Sequence, residues 1–170
     1  MKKGVVTIVV ALMLLLLSQQ AMAQEIWQIE KQFTSLWIVY QSGHEDDLNY
    51  IEGADFEADI YYSGSKIGTC AGKLRFLNPP LELTARYAPA TITYVNTITG
   101  YGSYHVSAQG IGFFTSDIYS GQGTFAYSGS ISNGKDNLES LVGLAGAIGE
   151  FDLVKQTGSL QETISVRMGY

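Results

Sequence analysis

The sequence predicts an all-β protein: a single antiparallel, up-and-down β-barrel of eight, possibly nine, strands behind an N-terminal signal peptide. Three observations carry this. From about Asp55 onward the chain consists of Thr, Tyr, Val, Ile and Phe in short alternating runs, and no long amphipathic helical pattern interrupts them. Glycine-containing turn signals separate the runs, in a chain holding 19 Gly against 3 Pro. Each run has one apolar and one polar face, as a small closed barrel in water requires.

Residues 1–23 read as a leader outside the fold. Met1-Lys2-Lys3 is a basic start, and Val5 to Leu17 is apolar except for Thr7. Ala21-Met22-Ala23 then supplies the small-x-small pattern of a signal-peptidase site, which places cleavage before Gln24. The apolar core falls short of the roughly 20 residues a membrane-spanning helix needs. No cysteine follows it to carry a lipid. The expectation is a secreted or periplasmic product without stable membrane insertion, with residues 24–170 as one barrel domain.

Strands are expected near 34–41, 55–62, 66–77, 91–99, 102–109, 111–118, 122–132, 138–154 (interrupted or not) and 158–168. Residues 24–33 fit either a short helix or a leading strand, and 42–53 an acidic loop. Turns are expected at Ser63-Gly64-Ser65, Asn78-Pro79-Pro80, Thr99-Gly100, Gln109-Gly110, Ser120-Gly121 and Asn133-Gly134. Alternation sorts the faces. Phe56, Ala58, Ile60 and Tyr62 share one; Cys70, Leu74 and Phe76 another. Ile92, Tyr94, Asn96 and Ile98 go together, as do Tyr104 with Val106, and Phe125, Tyr127 with Ile131. On the last strand Leu160, Glu162, Ile164, Val166 and Met168 oppose Gln161, Thr163, Ser165 and Arg167.

Composition excludes several classes. With 46% apolar and 15% charged residues in 170, the chain is too hydrophobic for disorder and sized for one domain. Its formal charge of −6 argues against a phosphate-binding surface, so no nucleic-acid partner is expected. The single cysteine, Cys70, rules out an intrachain disulfide and reads as a small buried apolar residue. There is no Gly-x-Ser-x-Gly, no phosphate-cradling Gly-rich loop and no His-Glu-x-x-His, and two histidines give a hydrolytic triad little to build from. Neither a metal nor a cofactor is expected.

Several motifs resemble the allene oxide cyclase and dirigent proteins. Phe56-Glu57-Ala58-Asp59-Ile60-Tyr61-Tyr62, a Ser-Gly turn, Lys66-Ile67-Gly68 and Gly72 are similar to that family's early strand pair. Gly146-Ala147-Ile148-Gly149-Glu150-Phe151 resembles its late Gly-Gly-Thr-Gly-x-Phe signature, with Ala147 and Ile148 in place of Gly and Thr. Gly102-Ser103-Tyr104 and Gly123-Thr124-Phe125 sit where the family has Gly-rich hairpins. The resemblance implies an eight-stranded barrel with a hydrophobic lumen, often a homotrimer.

Three constellations are candidates for chemistry. Glu162 and Asn96 lie on otherwise apolar faces that Tyr62, Tyr94, Tyr104 and Tyr127 share in a closed barrel. A carboxylate there is an acid–base candidate with a raised pKa, unless Glu162 sits at the wetted rim. Asp59 matches the acid of the dirigent strand, but its parity points it outward. His44-Glu45-Asp46-Asp47, with Glu52 or Asp55, has acidic ligands without calcium-loop spacing. Three function classes follow. The first is a barrel binding a small apolar molecule through Tyr62, Tyr94, Asn96, Tyr104, Phe125, Tyr127 and Glu162. The second is an isomerase or cyclase using Glu162 or Asp59. The third is a non-enzymatic structural or envelope-associated protein with a packed lumen.

Overall fold

The computed structural model describes residues 25–43, 50–77, 86–115 and 121–168. Eight strands form one closed barrel in chain order: β1 (Glu25–Tyr40), β2 (Ile51–Tyr62), β3 (Ser65–Phe76), β4 (Tyr87–Ile98), β5 (Gly102–Phe114), β6 (Gln122–Asp136), β7 (Leu141–Asp152) and β8 (Thr157–Met168). Every pairing is antiparallel, and β8 returns to pair with β1, which leaves no open edge. Eight strands give an interior just wide enough for side chains to fill. The leader with its expected cleavage site at Ala21, Ala23 and Gln24, the His44 to Asp47 motif and the Asn78-Pro79-Pro80 turn lie outside the described residues.

Two expected turns are instead strand. Gln109-Gly110 lies within β5, which joins the two short strands expected at 102–109 and 111–118. The glycine there meets a packing demand, since a Cβ at Gly110 would lie 2.7 Å from Tyr127 Cβ and 2.9 Å from Phe125 Cζ. Asn133-Gly134 lies within β6, where the ladder to β5 slips between Ser103 and His105 and Asn133 takes a φ of 52°. The Ser63-Gly64 turn does join β2 to β3, with φ of 50° and 78°, as a two-residue hairpin turn requires.

Of residues 24–33, ambiguous in sequence, the described ones from Glu25 supply the first half of β1. A register shift between Phe33 and Ser35 reverses the strand's parity. Trp27, Ile29, Lys31 and Phe33 turn from solvent before it, and Leu36 and Ile38 after it. A second shift, between Ile60 and Tyr61, corrects the expectation for Tyr62. Alternation aligned Tyr62 with Phe56, Ala58 and Ile60; beyond the irregularity it is 48% exposed at the barrel rim.

Inside, large side chains on some strands face small ones on others. Gly72 pairs with Phe56 on one side and Tyr94 on the other, and Gly110 pairs with Tyr127. Aromatic rings fill the end where β1 finishes: Phe33 and Phe56 centroids lie 5.4 Å apart, and Phe114 and Phe151 meet edge-on at 5.6 Å. The pocket among the described residues there holds about 40 Å³. At the opposite end, where β1 begins, the barrel opens.

Candidate functional site

Midway along the lumen the apolar filling is broken by a polar layer. Glu162 of β8 is 1% exposed and Lys31 of β1 equally so, with Lys31 Nζ 2.7 Å from Glu162 Oε2. This contact is an ion pair made off the hydrogen-bond direction, and among the described residues Glu162 Oε2 has no hydrogen-bond partner. The ammonium also lies 3.6 Å from the centroid of the Tyr94 ring, within cation–π range. Glu162 Oε1 accepts from the Tyr94 hydroxyl and from the Tyr127 hydroxyl at 3.0 Å, and the two phenol oxygens are 2.9 Å apart. Beside this cluster Asn96 Nδ2 donates to the Tyr104 hydroxyl at 2.8 Å, while Asn96 Oδ1, also buried, has no hydrogen-bond partner among the described residues.

The electrostatics follow from burial around one carboxylate. Burial, and then the nearby Glu162 charge, raise the Tyr94, Tyr104 and Tyr127 phenols well above their ordinary range. They stay protonated, so Tyr94 and Tyr127 are permanent donors to Glu162. Burial likewise pushes the Cys70 thiol up to about 11, with Lys31 pulling the other way and Glu162 adding to the rise. Glu162 is therefore held by two phenols and an ammonium. Its oxygens are committed to protein partners, and the residue is buried.

Above this layer, at the open end, lies a cleft of about 570 Å³ lined by Glu25, Trp27, Ile29, Tyr62, Ile67, Ile98, Tyr101, Tyr104, Asn137 and Leu138. Its volume falls in the range of small-molecule sites. The starts of β1, β3 and β5, the ends of β2 and β4 and the turns between strands supply these residues, because antiparallel neighbours present alternate termini at one end. Tyr104 joins the two layers: its ring lines the cleft and its hydroxyl is bound to Asn96.

The seven residues expected to line one lumen are thus divided among three levels. Tyr62 and Tyr104 line the mouth cleft. Tyr94, Asn96, Tyr127 and Glu162 form the buried polar layer. Phe125 packs below it, 5.9 Å from the Tyr127 ring, among the aromatics of the closed end. Glu162 is interior rather than at the rim. Asp59 lies on the outer wall, its Oδ1 2.7 Å from Lys66 Nζ. Lys31 is the functional candidate that sequence reasoning missed. Its signal was the period-2 series Trp27, Ile29, Lys31, Phe33, visible only once those residues are taken as strand. Among the described residues no group of three or more His, Cys, Asp or Glu is placed to hold a metal.

No family model matches the chain, and no curated protein matches it. Among solved structures it is similar to a nonspecific heme-binding cyclase that catalyses a cycloaddition in neoabyssomicin biosynthesis, at 14% identity with a TM-score of 0.49. That match covers 86% of this chain and 65% of the other. It is also similar to the Diels Alderase AbmU from Streptomyces koyangensis, at 14% identity with a TM-score of 0.44, over 87% of this chain and 69% of that one. The chain spans just under two thirds of the length of the first of these proteins.

Proposed function

We propose that this protein is an exported small-molecule-binding barrel whose ligand occupies the mouth cleft. One observation carries the reading: the barrel is packed through its centre and closed end, yet holds about 570 Å³ of mostly apolar space at the other end. A wholly structural barrel has no need to leave Trp27, Ile67, Ile98 and Leu138 around an unfilled cleft, because unfilled apolar surface forfeits packing. The leader-like Met1 to Ala23 segment supports export to the periplasm or medium. The polar layer serves as a rigid floor, and Tyr104 is the residue through which a ligand meets it.

An isomerase or cyclase of the allene oxide cyclase or dirigent kind is the second reading. The buried Lys31, Tyr94, Tyr127 and Glu162 cluster favours it, since such groups are costly inside a barrel unless they have a use. Against it, both Glu162 oxygens are already engaged. Thermal denaturation of the mature protein with a panel of fatty acids, terpenoids, phenolics and aromatic amines tests the first reading. A ligand of the native state raises Tm by an amount that grows with the logarithm of its concentration over Kd. A panel that leaves Tm unmoved contradicts binding, and turnover of a bound compound favours the second reading.

A further inference from the structure

The mouth cleft is more than an apolar hollow. Among the described residues, four of the ten that line it are aromatic, Trp27, Tyr62, Tyr101 and Tyr104, and the charged one is Glu25. Among the described residues no lysine or arginine lines it. The Trp27 indole donates to Glu25 Oε2 at 3.0 Å, which holds the carboxylate against the edge of the ring. Tyr62 and Tyr101 are 48% and 62% exposed, so their rings are left open to a visitor rather than packed.

Aromatic faces carry negative potential, and a cation within roughly 6 Å of a ring centroid is attracted to them. A carboxylate at the same rim adds to that field, and the −6 formal charge of the chain favours encounter with cations over anions. The barrel uses the same interaction internally, where the Lys31 ammonium sits over Tyr94. A metal ion is a poor fit, because one carboxylate and a few neutral oxygens fall short of the six to eight ligands calcium takes.

Building on the binding reading above, we infer that the occupant of the cleft is an organic cation with an apolar body, a quaternary or protonated tertiary ammonium bearing an aromatic or alkyl group. Ile29, Ile67, Ile98 and Leu138 take the body, and Trp27, Tyr62, Tyr101 and Glu25 take the charge.

Three probes of matched shape test this: phenethyltrimethylammonium, its neutral carbon isostere (3,3-dimethylbutyl)benzene, and the anion 3-phenylpropionate. The chain has 2 Trp, so Trp37→Phe leaves Trp27 as the fluorescent reporter. The cation should bind about tenfold more tightly than the isostere, and the anion more weakly than either. Glu25→Gln should lower cation affinity by about threefold to tenfold and leave the isostere unchanged. Equal affinity for cation and isostere, with Glu25→Gln silent, overturns the charge inference while the binding reading stands. No signal from any probe or from the wider panel overturns both.

Discussion

Lys31 and Glu162 meet across the seam that closes the barrel. Lys31 lies opposite Leu160 and Glu162 opposite Ile29 in the β1–β8 ladder, so the ion pair runs diagonally between the first and last strands. A one-residue slip of either strand turns one charge outward and strands the other in the lumen. The pair thus adds a charge constraint to the closing register, and a buried pair of this kind is weak evidence for net stability.

Lys31→Met alone should therefore destabilise by about 3–5 kcal/mol, because it leaves a buried carboxylate without its cation. The double variant Lys31→Met/Glu162→Gln should recover part of that loss. Urea unfolding of the two single variants and the double variant measures the coupling. Additive losses would contradict the pairing.

Tyr127→Phe should cost about 1.5–3 kcal/mol, the range for a hydrogen bond to a charged group. Tyr62→Phe, at the exposed rim, should fall within about 0.5 kcal/mol of wild type. Chemical denaturation of both variants checks the contrast. A similar cost at both positions would place the two hydroxyls in the same environment, contrary to the structure.

Gly72→Ala should be as damaging as a core overpacking change, about 1–3 kcal/mol or more. Its Cβ would press into Tyr94 Cβ and come within 2.7 Å of Phe56 Cζ. Gly64→Ala meets no atom within 4 Å, and its cost should arise from the positive φ of 78° instead. Tm values for the two variants, combined with a Tyr94→Phe background, separate the causes. Phe keeps the Cβ, so the Gly72→Ala penalty should persist there.

Alkaline pH should unfold the protein in a defined sense. In the unfolded chain the Cys70 thiol ionises near 9.0, while in the folded barrel it holds its proton to about 11. Above pH 9 the unfolded state binds fewer protons, so stability falls as pH rises through that window. The raised phenols of Tyr94, Tyr104 and Tyr127 extend the fall above pH 10. Cys70→Ala should remove the part between pH 9 and 11, and a thiol reagent at pH 8 should react with the native protein only on unfolding. Fast labelling of native Cys70 would contradict its burial.

Most of the fold was legible because strand alternation needs only local information. Tyr94 with Asn96, and Phe125 with Tyr127, were placed on inward faces by parity alone, and the closed barrel followed from one apolar face per strand. Parity fails where a strand carries an irregularity, which explains Tyr62 beyond the slip at Ile60. Glycine misled for a related reason: Gly110 looks like a turn residue, yet it makes room for Tyr127 and Phe125, a demand that only the neighbouring strand reveals. The division of the lumen into mouth, polar layer and closed end was not legible, because it depends on how far each strand is staggered along the barrel. Lys31 was hidden for both reasons, since its strand was ambiguous and its partner lies 131 positions away in sequence, on β8.

The most direct test of the central claim is ligand affinity after the mouth cleft is filled. Ile98→Trp adds bulk to the cleft wall, above and apart from the polar layer. The variant should fold, keep the Lys31–Glu162 coupling, and bind the best ligand of the thermal-shift panel at least about tenfold more weakly by calorimetry. Unchanged affinity in a folded Ile98→Trp variant would place the ligand elsewhere and contradict the account.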